Sequence, residues 1–355
     1  MNCFDMAFYQ QEDYMRITIK EIAKMAGVHR STVDKVLHNR EGVSPAVREK
    51  IQQIIDKYDY KINPIGKALK MQDKTLHIGV ILLKVDAVPL LKEGIERELK
   101  KYFSFQIELE FVVLSYRAVT EQSDAIRDFV KRKFDGLIMK AVNDSKIRKA
   151  LELCQEENIQ VVTLNTDIHG CSRLCYVGQD GFKAGKTAGR LMGEFLQGKG
   201  KVAVITSDEK GHQYFPFGTR EDGFRDLLRK DYSGMDVLPS IYTEENPELM
   251  EQVVGDLLLA HQDLQGIYLT CGGAGKVAGL MKKLNRQAIR FICFENYPEI
   301  LEAVEAGIIN ITLDSGLMKQ GSKALQILLD KIIYGRTPDQ EFYYTDIHIL
   351  LKENL

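Results

Sequence analysis

No run of apolar residues in this 355-residue chain approaches the ~18 to 20 that a membrane-crossing helix requires, so a helical membrane protein is excluded. Residues 1–14 carry Asp5, Glu12 and Asp13 but no Lys or Arg, and lack the basic start of a signal peptide. Cysteine is sparse: Cys3, Cys154, Cys171, Cys175, Cys271 and Cys293 are scattered with no C-x-x-C pair. That spacing offers no zinc framework, and free thiols in a reducing cytoplasm are expected. No G-x-S-x-G elbow or H-E-x-x-H helix is present, and the histidines are dispersed. No enzyme, metal or cofactor is therefore expected.

The near-balance of charge hides an asymmetry. Residues 16–75 hold 13 Lys and Arg against 7 Asp and Glu, whereas residues 76–355 hold 35 against 40. A small basic module leads a mildly acidic body, which favours a polyanionic partner for the front end alone. The chain is also too long for one hydrophobic core, so two or three domains are expected.

In the front module, Thr18-Ile19-Lys20-Glu21 reads as a capping box that opens a helix, and Gly27 ends that helix in a tight turn. Val28, Val33, Val36 and Leu37 form the buried stripe of a second short helix. Its other side presents Arg30, Ser31, Thr32, Asp34 and Lys35. Ser44-Pro45 opens a third helix to about Lys57, with Ile51, Ile54 and Ile55 on its inner face. Three short helices turning at Gly27 suit a helix-turn-helix.

The stretch Ile17-Thr18-Ile19-Lys20-Glu21-Ile22-Ala23-Lys24-Met25-Ala26-Gly27-Val28, then Ser31-Thr32-Val33, Val43-Ser44-Pro45 and Arg48, resembles the headpiece of the LacI/GalR family of bacterial repressors. The likeness continues through Tyr60, Asn63-Pro64 and Lys67-Ala68-Leu69-Lys70. It implies that His29, Arg30, Ser31, Asp34 and Lys35 meet base edges of operator DNA, with Thr32 also at the DNA. Thr18, Asn39 and Arg48 would meet phosphates, which fix register without reading sequence. In the family the last stretch is a hinge that orders on the operator, and Leu69 takes the place of a leucine wedged into the minor groove. Asp34-Lys35 stands where the family commonly has Ser-Arg, so the operator sequence does not carry over. Asp34 either accepts from a cytosine amino group or neutralises a neighbouring Arg.

Behind the hinge, apolar runs alternate with amphipathic helices. Strands are expected at residues 76–82, 111–114, 136–139 and 161–164, then at 201–205, 266–269 and 290–294, with helices at about 90–102 and 121–133. Two successive strand–helix series predict an α/β body of two lobes with parallel sheets. A ligand would sit between them, beyond the carboxyl ends of the strands. Four boundaries follow: an N-terminal extension at 1–15, the headpiece at 16–62, the hinge at 63–75 and the two-lobed sensor and dimerisation domain at 76–355.

The segments Thr163-Leu164-Asn165-Thr166-Asp167, Val177-Gly178-Gln179-Asp180, Arg220-Glu221-Asp222-Gly223-Phe224, Phe294-Glu295-Asn296 and Ile311-Thr312-Leu313-Asp314-Ser315 resemble the type I periplasmic binding fold, particularly its ribose-type sugar binders. By position this implies effector contacts at Lys140, Asp167, Asp180, Arg220, Cys271, Glu295 and Asp314. Carboxylates and a guanidinium at strand ends suit the hydroxyl pairs of a sugar. Strand-end acids also commonly serve as helix caps. Glu295 replaces the usual Asp, Cys271 a frequent Asn, and the loop Leu83-Lys84-Val85-Asp86-Ala87 lacks the aromatic pair found there. Tyr214, Phe215 and Phe217 offer a stacking face from the other lobe.

Asp180-Gly181-Phe182-Lys183-Ala184-Gly185-Lys186-Thr187 imitates a phosphate-binding loop, but Asp180 stands where the leading glycine must be. The expectation is a cytoplasmic regulator, a homodimer or tetramer, that binds double-stranded operator DNA under the control of a sugar-like effector. The alternatives are a solute-binding protein without a regulatory role and a cytoplasmic sugar-utilising enzyme.

Overall fold

The computed structural model describes residues 17–37, 40–58, 60, 64–116, 118–207 and 217–355. The expected extension at 1–15, Asn39 and Asn63 lie outside this set. The chain divides into two compact units, Met1–Pro64 and Ile65–Leu355.

The first unit contains α1 (Ile19–Ala26), α2 (Arg30–Leu37) and α3 (Pro45–Lys57). The Thr18 hydroxyl accepts the Glu21 N–H at 3.3 Å and the Glu21 carboxylate accepts the Thr18 N–H at 2.6 Å, so the capping box closes in both directions. These bonds hold the Glu21 carboxyl below its ordinary range. Gly27 leaves α1 at φ 71°, where a Cβ would be strained. Ser44 occupies the N-cap of α3 but its side chain makes no capping bond, leaving Pro45 to start the helix. Ile22, Ala23, Ala26, Val33, Val36 and Ile51 form the small core.

Helix α4 (Pro64–Gln72) begins at the last residue of the first unit and opens the second, where the hinge was expected. Ala68 and Met71 pack against the apolar core behind them, and the Lys67 ammonium donates to the Lys331 carbonyl at 3.1 Å. Ile65 and Leu69 remain 70% and 59% exposed.

Lobe 1 then runs β1 (Thr75–Leu83), α5 (Val88–Leu99), β2 (Gln106–Leu114), α6 (Val119–Lys131), β3 (Gly136–Met139), α7 (Ser145–Glu156), β4 (Gln160–Leu164) and β5 (Cys175–Gln179). Lobe 2 follows with α8 (Gly181–Phe195), β6 (Gly200–Thr206), α9 (Phe217–Asp231), β7 (Met235–Val237), β8 (Ile241–Tyr242), α10 (Pro247–Ala260), β9 (Leu264–Leu269), α11 (Ala274–Lys283), β10 (Arg290–Phe294), α12 (Pro298–Glu305) and β11 (Ile311–Asp314). The chain then crosses back. Helix α13 (Leu317–Leu329) and β12 (Phe342–Thr345) complete lobe 1, and β13 (His348–Leu350) returns to lobe 2.

The sheet orders are β12-β5-β4-β3-β1-β2 and β13-β11-β10-β9-β6-β7, with β8 also paired to β6. All pairings are parallel except β11 with β13. The two successive series form the two lobes as expected, and elements from the far end of the sequence are added to close lobe 1. Strand β2 also begins before the expected residue 111. Its first half, Gln-Ile-Glu-Leu-Glu, lies on the sheet edge and alternates polar residues toward water, so it lacks an apolar run.

Each lobe contains a helix pair crossed through glycine. A Cβ on Gly185 of α8 would collide with the Arg220 carbonyl of α9, and one on Gly223 of α9 with the Phe182 carbonyl. In lobe 1, Gly94 of α5 meets the Met318 carbonyl and Gly321 of α13 meets the Leu91 carbonyl. Backbone against backbone leaves nothing flexible to move aside. Gly185→Val is therefore expected to destabilise the body by roughly 1–3 kcal/mol, read as a lower urea midpoint, whereas Gly255→Ala, with open space around it, should leave the midpoint near that of the unaltered chain.

Candidate functional site

Strand order locates the site. In lobe 1 the order reverses between β1 and β3, and in lobe 2 between β6 and β9. At such switch points the loops leave in opposite directions and open a crevice at the strands' carboxyl ends. Val85, Asp86 and Ala87 follow β1 and Lys140 follows β3. From lobe 2 come Phe217 and Arg220 of α9, Glu245, Cys271 after β9, and Phe294, Glu295 and Tyr297 around the end of β10. The cleft they line spans about 450 Å³ when its open mouth is included.

Arg220 is the best-anchored side chain in the cleft. It is 3% exposed and donates to the Thr270 carbonyl at 2.8 Å and to Gln179 Oε1 at 2.9 and 3.2 Å. Its guanidinium lies 3.5 Å from Glu295 Oε1 and 3.6 Å above the Phe294 ring centroid. Glu295 sits at φ 76°, a costly conformation for a residue with a side chain and one that clusters at functional sites. The Ser315 hydroxyl donates to its carboxylate at 2.7 Å, and burial pushes the Glu295 carboxyl upward while Arg220 draws it down.

A polar chain continues from Glu295 beneath the cleft. The Ser315 carbonyl accepts from Gln320 at 2.8 Å, Gln320 accepts from Asn165 at 3.1 Å, and Asn165 accepts from the Lys140 ammonium at 2.8 Å. Burial pushes Lys140 down to about 8, against the pull of Glu245 and Glu295. Cys271 is buried, its sulfur 3.7 Å from the Thr243 hydroxyl. Its thiol is pushed up to about 12 by burial, so it is not a thiolate nucleophile near neutral pH.

Four of the expected contacts, Lys140, Arg220, Cys271 and Glu295, therefore meet around one cavity. The other three stand outside its lining. Asp167 is fully buried in a two-pronged pair with Arg173, at 2.8 and 2.6 Å, and accepts from Thr163. Asp180 caps α8 by accepting the Lys183 N–H at 3.0 Å. Asp314 accepts the Gly316 N–H at 2.9 Å. Each is a strand-end acid engaged by nearby donors of its own lobe or crossing.

Phe217 reaches the cavity; Tyr214 and Phe215 lie outside the described residues. Asp86, Glu245 and Tyr297 line it without having been singled out as contacts. Asp86 carried one signal, its place just beyond the first strand. Glu245 carried none, because Glu244-Glu245-Asn246-Pro247 reads as a solvated helix start.

On the first unit, α2 exposes Arg30, Ser31 and Lys35, with Thr32 and Asp34 half-buried. His29 Nδ1 lies 2.9 Å from the Ser31 hydroxyl and accepts the Ser31 N–H at 3.3 Å, bracing the start of the helix. Asp34 lies 3.6 Å from the Arg40 guanidinium, and Arg48 donates to the Arg40 carbonyl at 2.6 Å.

Two family descriptions match the chain. The periplasmic binding protein domain covers residues 88–336, and the bacterial regulatory proteins of the lacI family cover residues 18–63. The chain belongs to the periplasmic binding protein domain family over residues 88–336, with the lacI-family match ahead of it. The transcriptional regulator RegA of Clostridium acetobutylicum is 27% identical over 154 residues, 43% of this chain and 44% of that protein. The sucrose operon repressor of Staphylococcus xylosus is 27% identical over 182 residues, 50% of this chain and 52% of the repressor. The chain thus aligns with about half the length of these curated relatives. A solute-binding protein of Burkholderia graminis, solved with D-arabinose, superposes with a TM-score of 0.73 at 23% identity, over 79% of this chain and 96% of that one. That likeness is one of fold.

Asp167 separates support from contact. Asp167→Ala leaves the Arg173 guanidinium, 6% exposed, with only the exposed Glu341 at 3.3 Å. It is expected to cost roughly 3–5 kcal/mol of folding stability in a denaturant titration. Residues that contact a ligand should instead alter affinity more than stability.

Proposed function

We propose that the chain is a sequence-specific DNA-binding repressor whose operator affinity is set by a sugar or sugar derivative held between the two lobes. The observation that carries this reading is the union, in one chain, of a lacI-type headpiece with a cleft built around Arg220 and Glu295. The exposed residues of α2, with His29 and Asp34, read bases, with Thr32 also at the DNA, while Thr18, Asn39 and Arg48 hold phosphates. Lys140, Arg220, Cys271 and Glu295 take the effector's hydroxyls, with Phe294 and Phe217 as apolar walls. Asp167, Asp180 and Asp314 hold the surrounding loops in place.

In this reading the protein works as a cytoplasmic homodimer on a pseudo-palindromic site and performs no catalysis. Leu69, exposed on α4, wedges into the minor groove at the centre of the site. Effector changes the angle between lobes and so the fit of the two α4 helices to DNA. It shifts DNA affinity only by its own difference in affinity for the two states.

Binding of the full-length chain to genomic fragments should weaken steeply with salt, with a log–log slope of about −0.9 per phosphate neutralised. Neither a transport binding protein nor a sugar-utilising enzyme would show it. Leu69→Ala is expected to lower operator affinity about ten-fold or more while sparing effector binding; unaltered operator affinity removes the wedge assignment. Arg220→Ala should retain operator binding without effector and lose the response to it, measured by fluorescence anisotropy across an effector titration.

A further inference from the structure

Two carboxylates approach one another across the cleft from opposite lobes. Asp86 stands on the loop after β1, and Glu245 stands ahead of α10 in lobe 2. Glu245 Oε2 and Asp86 Oδ2 lie 2.7 and 3.7 Å from the point that a Cβ on Gly272 would occupy. Gly272 has no side chain, so this space stays open between the two acids. Glu299, at the start of α12, adds a third negative charge that bears on Asp86.

The cations of the cleft are hydrogen-bonded elsewhere. Arg220 serves Gln179, the Thr270 carbonyl and Glu295, and the Lys140 ammonium donates to Asn165 while its charge offsets part of that of Glu245. Among the described residues no Lys or Arg forms an ion pair with Asp86 or Glu245. Glu245 accepts from Ser207 at 2.9 Å and from the Gly272 N–H at 3.2 Å, both through Oε1, which leaves Oε2 at the gap. Burial pushes the Glu245 carboxyl up, against the Gly272 and Ser207 hydrogen bonds and the Lys140 charge; Asp86, which keeps an exposed side, is also raised, by partial desolvation and by Glu299. The ring of Tyr297 stands among the same acids, and an aromatic face beside carboxylates favours a cation.

Resting on the reading of the cleft as the effector site, we infer that the effector is a hydroxylated amine, of the amino-sugar type, whose ammonium lodges between Asp86 and Glu245. Like charges on opposing lobes resist closure of the empty cleft. One ammonium has three donors and can bond both acids at once, so the ligand's charge itself draws lobe 1 onto lobe 2. Hydroxyls on the same molecule reach Arg220 and Glu295. Uronates and sugar phosphates are rejected, because an anion would meet Asp86, Glu245 and Glu299 together.

The test is calorimetric titration of the full-length chain with D-glucosamine, D-galactosamine and D-mannosamine, each beside its neutral parent and its N-acetyl derivative, and with glucuronate and glucose 6-phosphate. At least one amine is expected to bind about ten-fold or more tightly than both its parent and its N-acetyl form, the size of a charge-assisted bond. Asp86→Asn and Glu245→Gln should each shrink that preference. Equal affinity for amine and parent, preference for an anion, silence of all three amines, or a preference that both variants retain would each overturn the inference. Saturable Mg2+ or Ca2+ binding lost in Glu245→Gln would overturn it in favour of a metal ion. The regulatory reading is judged separately: neutral sugars that bind and release the operator leave it standing, and absence of salt-sensitive duplex binding removes it whatever the cleft accepts.

Discussion

A buried guanidinium needs acceptors on every side, and strand ends of both lobes supply them to Arg220. Gln179 comes from the end of β5, Thr270 from the end of β9 and Glu295 from the end of β10. Phe294 underlies the planar face, where a guanidinium stacks and an ammonium would not. The Arg220 backbone is itself set by the glycine crossing, since its carbonyl abuts Gly185 of α8. Helix packing thus delivers the charge, and the charge then orders the loop ends that form the cleft.

The three crossings between lobes meet the same network. Ser315, on the second crossing, donates to Glu295 and accepts from Gln320. Thr345, at the end of β12, donates to the Ser315 carbonyl at 2.7 Å and lies 3.2 Å from the Gly178 carbonyl at the first crossing. All three passages are therefore pinned at one place, close beneath the cavity. Buried polar networks of this kind are costly when half satisfied, so a ligand that redirects Glu295 or Lys140 also perturbs the connection between lobes. Arg220 and Glu295 balance one another in the floor of the cleft, and Asp86 and Glu245 stand at its edge.

Legibility followed the reach of each interaction. The capping box of α1, the turn at Gly27 and the buried stripes of the headpiece depend on residues three or four apart, and all stand where their spacing placed them. The buried central strands were legible as apolar runs. Strand β2 was only half legible because its edge position exposes one face to water. Arg220 and Glu295 were found through short segments resembling sugar binders. The same resemblance named Asp167, Asp180 and Asp314, which stand outside the cavity lining and are engaged by Arg173, the Lys183 N–H and the Gly316 N–H.

The sequence by itself determined the helix-turn-helix and the parallel α/β body, which rest on local periodicity, capping and spacing, while the family was legible only through motifs that resemble it. Tertiary structure alone decided that α13 and β12 close lobe 1, that four of seven expected residues share a cavity, and that Asp86 faces Glu245. Those residues lie far apart along the chain, and only the strand order and the paired crossings bring them together. No local pattern records a meeting made through the middle of a fold.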